Sequence, residues 1–79
     1  MDYHEYIVRD PKICGGRPTF RGTRVTLRTV LASLGVGISI EEIKSEFPSL
    51  TDEHIWAAIA FAAASAAEDL PVPEAPRVA

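Results

Sequence analysis

Six cations fall between residues 9 and 28, namely Arg9, Lys12, Arg17, Arg21, Arg24 and Arg28, against one acid, Asp10. Guanidinium groups present forked N–H donors that match carboxylates and phosphates, so this segment carries the chemistry of gripping an anion. Six cations less one acid give the segment +5 in a chain of net charge -3, so the remainder carries -8. A basic limb on an acidic body attracts a polyanion or an acidic protein at one end and repels it at the other. Lys12, Arg17, Arg21, Arg24 and Arg28 are the candidate contacts to a partner or to phosphate. The plainer reading is a solvated face with local ion pairs to Glu41, Glu42 and Glu46. It suits any one arginine better than the set, because six cations in twenty residues repel one another unless something compensates them.

Covalent chemistry has less to stand on. Cys14 with His4 or His54 could supply a nucleophile and a base, but Cys14 sits in a glycine-rich stretch without an orienting group. Gly15-Gly16-Arg17 lacks the Gly-Lys-Ser/Thr of a phosphate-binding loop. Glu41, Glu42 and Glu46 read as a capping and solvated face. No spacing of Cys, His, Asp or Glu suggests a metal, and the reading assigns no catalytic residue, no metal and no cofactor.

The elements that must carry these residues follow from local signals. Residues 3 to 9 (YHEYIVR) have the aromatic and branched side chains of a short strand, ended by Asp10-Pro11. Gly15, Gly16 and Gly22 mark turns in a loop-rich arm over 9–28. Arg21-Gly-Thr-Arg24 reads as a tight turn between short extended segments near Thr19-Phe20 and Arg24-Val25, hence a small β-hairpin. Thr26 caps a first helix carrying Val30, Leu31 and Leu34, with Gly35 at its left-handed end. Ser39 and Glu42 fit a capping box for a short helix from Ile40 to Phe47, stopped by Pro48. Thr51 caps a last helix running to about Asp69, with Asp52 and Glu53 in its first turn. The fold expected is mainly α: a three-helix, helix-turn-helix-like domain over 1–70, preceded by a short N-terminal strand and the hairpin arm. Residues 71–79 read as a Pro-rich flexible tail.

Eight of the eleven residues from Ala57 to Ala67 are alanine, so nearly every face of the last helix is apolar, which a lone surface helix would not be. A chain of 79 residues has little core to cover it, and Trp56, Ile59, Ala60, Ala63 and Ala67 form the expected homodimer interface. The helix-turn-helix grammar meets the wrong chemistry for reading bases. The first turn of the second helix of the motif is Asp52, Glu53, His54, without Arg, Lys, Asn or Gln to make a bidentate base contact. Nucleic-acid contact would fall to the arm arginines, mostly on phosphate and strongly salt-dependent.

One cysteine excludes an internal disulfide and suits a reducing compartment. Asp2, His4 and Glu5 near the start do not read as a signal peptide, and the apolar run Ile55 to Ala67 is too short to span a bilayer. The expectation is a cytoplasmic protein without a membrane partner.

Asp10-Pro-Lys-Ile-Cys-Gly-Gly-Arg-Pro18, Arg21-Gly-Thr-Arg-Val25, Gly37-Ile-Ser-Ile-Glu-Glu-Ile43 and Phe47-Pro-Ser-Leu-Thr51, in this order, resemble the domain of unknown function 433 family. The resemblance covers about residues 5 to 65. It implies a small helix-turn-helix-like protein, and many members resemble the antitoxin half of bacterial type II toxin-antitoxin pairs, encoded beside a toxin with a PIN-like nuclease domain. Such a nuclease holds Mg²⁺ with carboxylates, so an inhibitor works by placing an arginine among them. Arg17, Arg21 and Arg24 of the arm, and Arg77 on the tail, are the candidates for that contact with the toxin. An antitoxin, a DNA-binding autoregulator using the arm arginines, and a structural homodimer without a ligand stand as three alternatives, none of them an enzyme.

Overall fold

The computed structural model describes residues 2–69 and is mainly helical. A two-stranded antiparallel sheet pairs β1 (Ile7–Val8) with β2 (Thr19–Phe20), in the register Ile7 to Phe20 and Val8 to Thr19. Three helices follow: α1 (Leu27–Gly35), α2 (Ile40–Glu46) and α3 (Asp52–Asp69). The tail at 71–79, with Arg77, lies outside the described residues.

The expected strand over residues 3 to 9 is shorter than the sequence pattern suggests. Tyr3–Glu5 form a 3-10 turn, because the Asp2 carboxylate accepts the His4 backbone N–H at 3.0 Å and nucleates it; only Ile7–Val8 are strand. That same hydrogen bond holds the Asp2 carboxyl below its ordinary pKa. The hairpin turn falls where Arg21-Gly-Thr-Arg24 places it. Gly22 has φ +79°, the Thr23 hydroxyl donates to the Phe20 carbonyl at 2.8 Å, and it accepts the Val25 N–H at 3.0 Å. The returning arm pairs through the bridge between Thr19 and Thr26, so β2 is flanked on both sides.

Thr26 caps α1 as expected, its hydroxyl oxygen accepting the Thr29 N–H. The end of α1 differs from expectation. Gly35 is still helical, and the left-handed residue is Gly37 at φ +90°, where Gly37 N–H donates to Leu34 O and Ile38 N–H donates to Ser33 O. Those two bonds make a Schellman motif with Gly37 in the position that lacks a Cβ penalty. Ser39 Oγ accepts the Glu42 N–H at 3.1 Å, half of the anticipated capping box; the reciprocal bond from Ser39 N–H to the Glu42 side chain is absent among the described residues.

Thr51 caps α3 differently from expectation. Its hydroxyl does not turn to the helix backbone but lies 2.8 Å from His54 Nδ1, and that same nitrogen accepts the Thr51 N–H at 3.0 Å. His54 Nδ1 thus takes the place that the Glu carboxylate holds in a capping box. Its ring also stands edge-on to Tyr6 and Phe20, so one side chain starts α3 and fastens it to the sheet.

The core is Ile7 and Phe20 from the sheet, Leu27 and Val30 from α1, Ile43 from α2, Leu50, and Ile55, Ala57 and Ala58 from α3. Thr19 is the buried polar residue, and its hydroxyl donates to the Val8 carbonyl. Lys44 bridges α2 to α3 with its ammonium 2.8 Å from Asp52 Oδ1 and 3.2 Å from Glu41 Oε1.

Candidate functional site: a basic strap and an apolar helix face

The arm is built by three backbone ties. Leu27 N–H donates to Pro18 O at 3.0 Å, Phe20 N–H donates to Val25 O at 3.1 Å, and the Cys14 thiol donates to Arg24 O at 3.4 Å. The Thr19–Thr26 register, continued by these bonds, sets Pro18 against Leu27. Arg17 stands just before this bridged segment, Arg21 and Arg24 flank its turn, and Arg28 follows in the first turn of α1. With six cations and one acid between residues 9 and 28, the strap concentrates positive potential.

Cys14 belongs to that construction. Cys14, Gly15 and Gly16 have φ of +50°, +65° and +82°, a left-handed turn closed by Gly16 N–H to Ile13 O and Arg17 N–H to Cys14 O. Glycine adopts this backbone without strain; Cys14 does not, and its thiol bond to Arg24 O offsets part of the cost. The turn delivers Arg17 to the strap.

The candidate cations divide once their partners are known. Arg21 donates from Nε to Glu5 O at 3.2 Å and from Nη2 to His4 O at 2.9 Å, so it ties the first turn to the arm. Arg9 lies over the Phe61 ring, 5.7 Å from its centroid. Lys12, Arg17, Arg24 and Arg28 are exposed, and among the described residues no carboxylate lies within ion-pair distance of any arm cation. Glu41, read as a local partner for the arginines, pairs with Lys44 instead. Arg28 also stands in the first turn of α1, where the helix dipole disfavours a cation and no acid accompanies it.

The start of α3 presents one free acid rather than two. Asp52 Oδ1 is buried, and its partner is the Lys44 ammonium. Asp52 first, then Glu41, hold the Lys44 pKa above its ordinary value by favouring the charged ammonium. Glu53 is exposed. This end of the helix-turn-helix therefore offers no donor suited to base edges.

The predicted interface residues lie along one stripe of α3 at helical spacing. Trp56 is 49% exposed and Ile59 45%, Ala63 and Ala67 are exposed, and Ala60 is half-buried. Ala57 and Ala58, on the opposite side, are fully buried against the core. Alanine was thus used on both faces, inside to bring helix axes close and outside on the open stripe. His54, Lys44 and Asp52 are contact makers that the sequence pattern did not single out; the one signal available was the position of His54 three residues beyond a capping threonine. Among the described residues no group of His, Cys, Asp and Glu could hold a metal, and no helix is long and apolar enough to cross a membrane.

The family model described as "Protein of unknown function (DUF433)" matches residues 7–62 of this chain, which include the whole strap and the exposed start of α3. An uncharacterized protein, y4eO, from Sinorhizobium fredii is 41% identical over 61 residues, 77% of this chain. The chain spans 28% of the length of that relative. No solved structure matches.

Proposed function

We propose that this chain, which belongs to the DUF433 family, is an antitoxin-like protein that binds and neutralises a PIN-like ribonuclease through its basic strap. The observation that carries the reading is the set Arg17, Arg24 and Arg28: exposed, carried on one short basic segment, and without a carboxylate partner among the described residues. Such an arrangement is held ready for an external anion, and a forked guanidinium is suited to the carboxylate cluster with which a PIN-like nuclease holds Mg²⁺. An arginine seated there competes with the metal for the same oxygens. Arg77, outside the described residues, belongs to the same proposal as a second contact. Two copies join through the Trp56, Ile59, Ala60, Ala63 and Ala67 stripe of α3. On this proposal the protein acts in the cytoplasm beside its target and has no catalytic residue of its own.

A protein target is favoured over DNA by the start of α3, where Glu53 is exposed and Asp52 is engaged by Lys44. Arginine contacts to phosphate alone would give binding without sequence discrimination. The test is co-expression of the tagged full-length chain with the product of the adjacent reading frame. Co-elution, with loss of ribonuclease activity in the complex, is the expected result. Absence of both co-elution and protection overturns the proposal, and retardation of the chain's own promoter fragment in their place would assign the strap to DNA.

A further inference from the structure

The outer edge of β1 carries no strand among the described residues, although Ile7 as a whole is only 7% exposed, and the polarity of the edge follows from the register. Arg21 N–H donates to Tyr6 O, so the pair Tyr6 and Arg21 is hydrogen-bonded and the next pair, Ile7 and Phe20, is not. Phe20 bears this out, since its N–H turns away from β1 to Val25 O and its carbonyl accepts the Thr23 N–H. The N–H and C=O of Ile7 therefore point away from β2. Among the described residues no backbone group outside the β1–β2 ladder bonds to them. A cavity of about 240 Å³ lies at this edge, lined by Tyr3, His4, Ile7, Val8, Arg9 and Phe61. Ile7 and Val8 face opposite sides of the strand, so a space that touches both runs along the edge rather than over one face.

The lining is aromatic with one cation. Tyr3 meets Phe61 edge to face at 5.4 Å and stacks on His4 at 4.6 Å, while the Arg9 guanidinium covers Phe61. Arg9 is exposed and has no carboxylate within ion-pair distance among the described residues.

We infer that this edge is a docking groove for an extended, acidic segment of a partner protein. The segment adds a strand beside β1 through the Ile7 N–H and C=O, seats an apolar side chain against Tyr3 and Phe61, and places an Asp or Glu on Arg9. Main-chain pairing supplies the attachment, and the cavity with its arginine supplies the selection. The groove is separate from the strap, and its existence does not presuppose a nuclease partner.

The probe is a positional-scanning library of acetylated hexapeptides, titrated into the ¹⁵N-labelled full chain. Pools with Asp or Glu fixed are expected to shift the amides of Ile7 and Arg9. N-methylation of alternate peptide amides is expected to abolish the shifts, and Arg9→Glu to weaken acidic pools at least about tenfold while favouring pools with Lys fixed. The inference is overturned if no pool moves these amides, or if the shifts ignore both N-methylation and the charge at residue 9. It is also overturned if the free chain protects the Ile7 amide from exchange in a manner lost on dilution, since a second copy then occupies the edge. None of these outcomes depends on whether a toxin is bound elsewhere.

Discussion

Arg28 stands in the first turn of α1, where the helix dipole disfavours a cation and no acid accompanies it, the local disadvantage expected where charge is arranged for a partner. Arg28→Ala should leave the fold intact and raise stability by a few tenths of a kcal/mol, whereas Arg17→Ala should leave stability unchanged. Both variants should bind the partner more weakly, so at residue 28 thermal unfolding and pull-down would move in opposite directions. Arg21 should behave differently. Its guanidinium serves two main-chain carbonyls, so Arg21→Ala should destabilise the chain by about 1–2 kcal/mol in denaturant unfolding. A stability change of equal size at Arg17 and Arg21 would contradict the division. His54→Ala removes the acceptor for the Thr51 N–H together with ring contacts to Tyr6 and Phe20, and should also cost about 1–2 kcal/mol.

Elements are fixed at their ends, and the ends make sharp predictions. Gly35 is helical with open space where a Cβ would stand, whereas Gly37 holds φ +90°. Gly35→Ala should therefore stabilise by about 0.5–1 kcal/mol, and Gly37→Ala should destabilise by about 1 kcal/mol or more. Equal shifts in midpoint for the two variants would exclude the Schellman ending. Lys44 joins α2 to α3, and its pKa is raised by Asp52 and Glu41. A base whose pKa is raised by folding stabilises fully below its unfolded value, about 10.4 for lysine, and loses that contribution as pH rises through the folded value. Lys44→Met should remove this alkaline component from the stability profile. The helices were legible because caps and breakers are local: Thr26, Ser39, Pro48 and Thr51 each act within a turn. Residues 3 to 9 misled because strand propensity was outcompeted by Asp2, whose carboxylate organises a 3-10 turn. Gly35 misled because two glycines lie within three residues and only the chain path of Ile38 back to Ser33 selects Gly37.

At the scale of the molecule, charge and apolar surface are separated, the strap carrying cations and α3 carrying the open stripe. The charge asymmetry was visible in the sequence, as was the apolar excess of α3. The diversion of Arg21 into main-chain contacts and the seat of Arg9 over Phe61 were not, because they depend on contacts between distant residues. If the stripe joins two copies, Ile59→Lys places a charge at its centre and should convert a concentration-dependent dimer into a monomer in sedimentation equilibrium, with the helical circular dichroism retained. Wild-type chain that stays monomeric at all concentrations would remove the dimer from the account. The central claim, that the strap is an arginine grip for a carboxylate-rich nuclease site, is tested most directly by titrating the purified adjacent-frame product with wild-type chain and with the triple variant Arg17→Ala, Arg24→Ala, Arg28→Ala, reading both affinity and residual RNA cleavage. The account predicts that the folded triple variant binds at least about a hundredfold more weakly and leaves cleavage uninhibited; equal affinity and equal inhibition by the two proteins would contradict it.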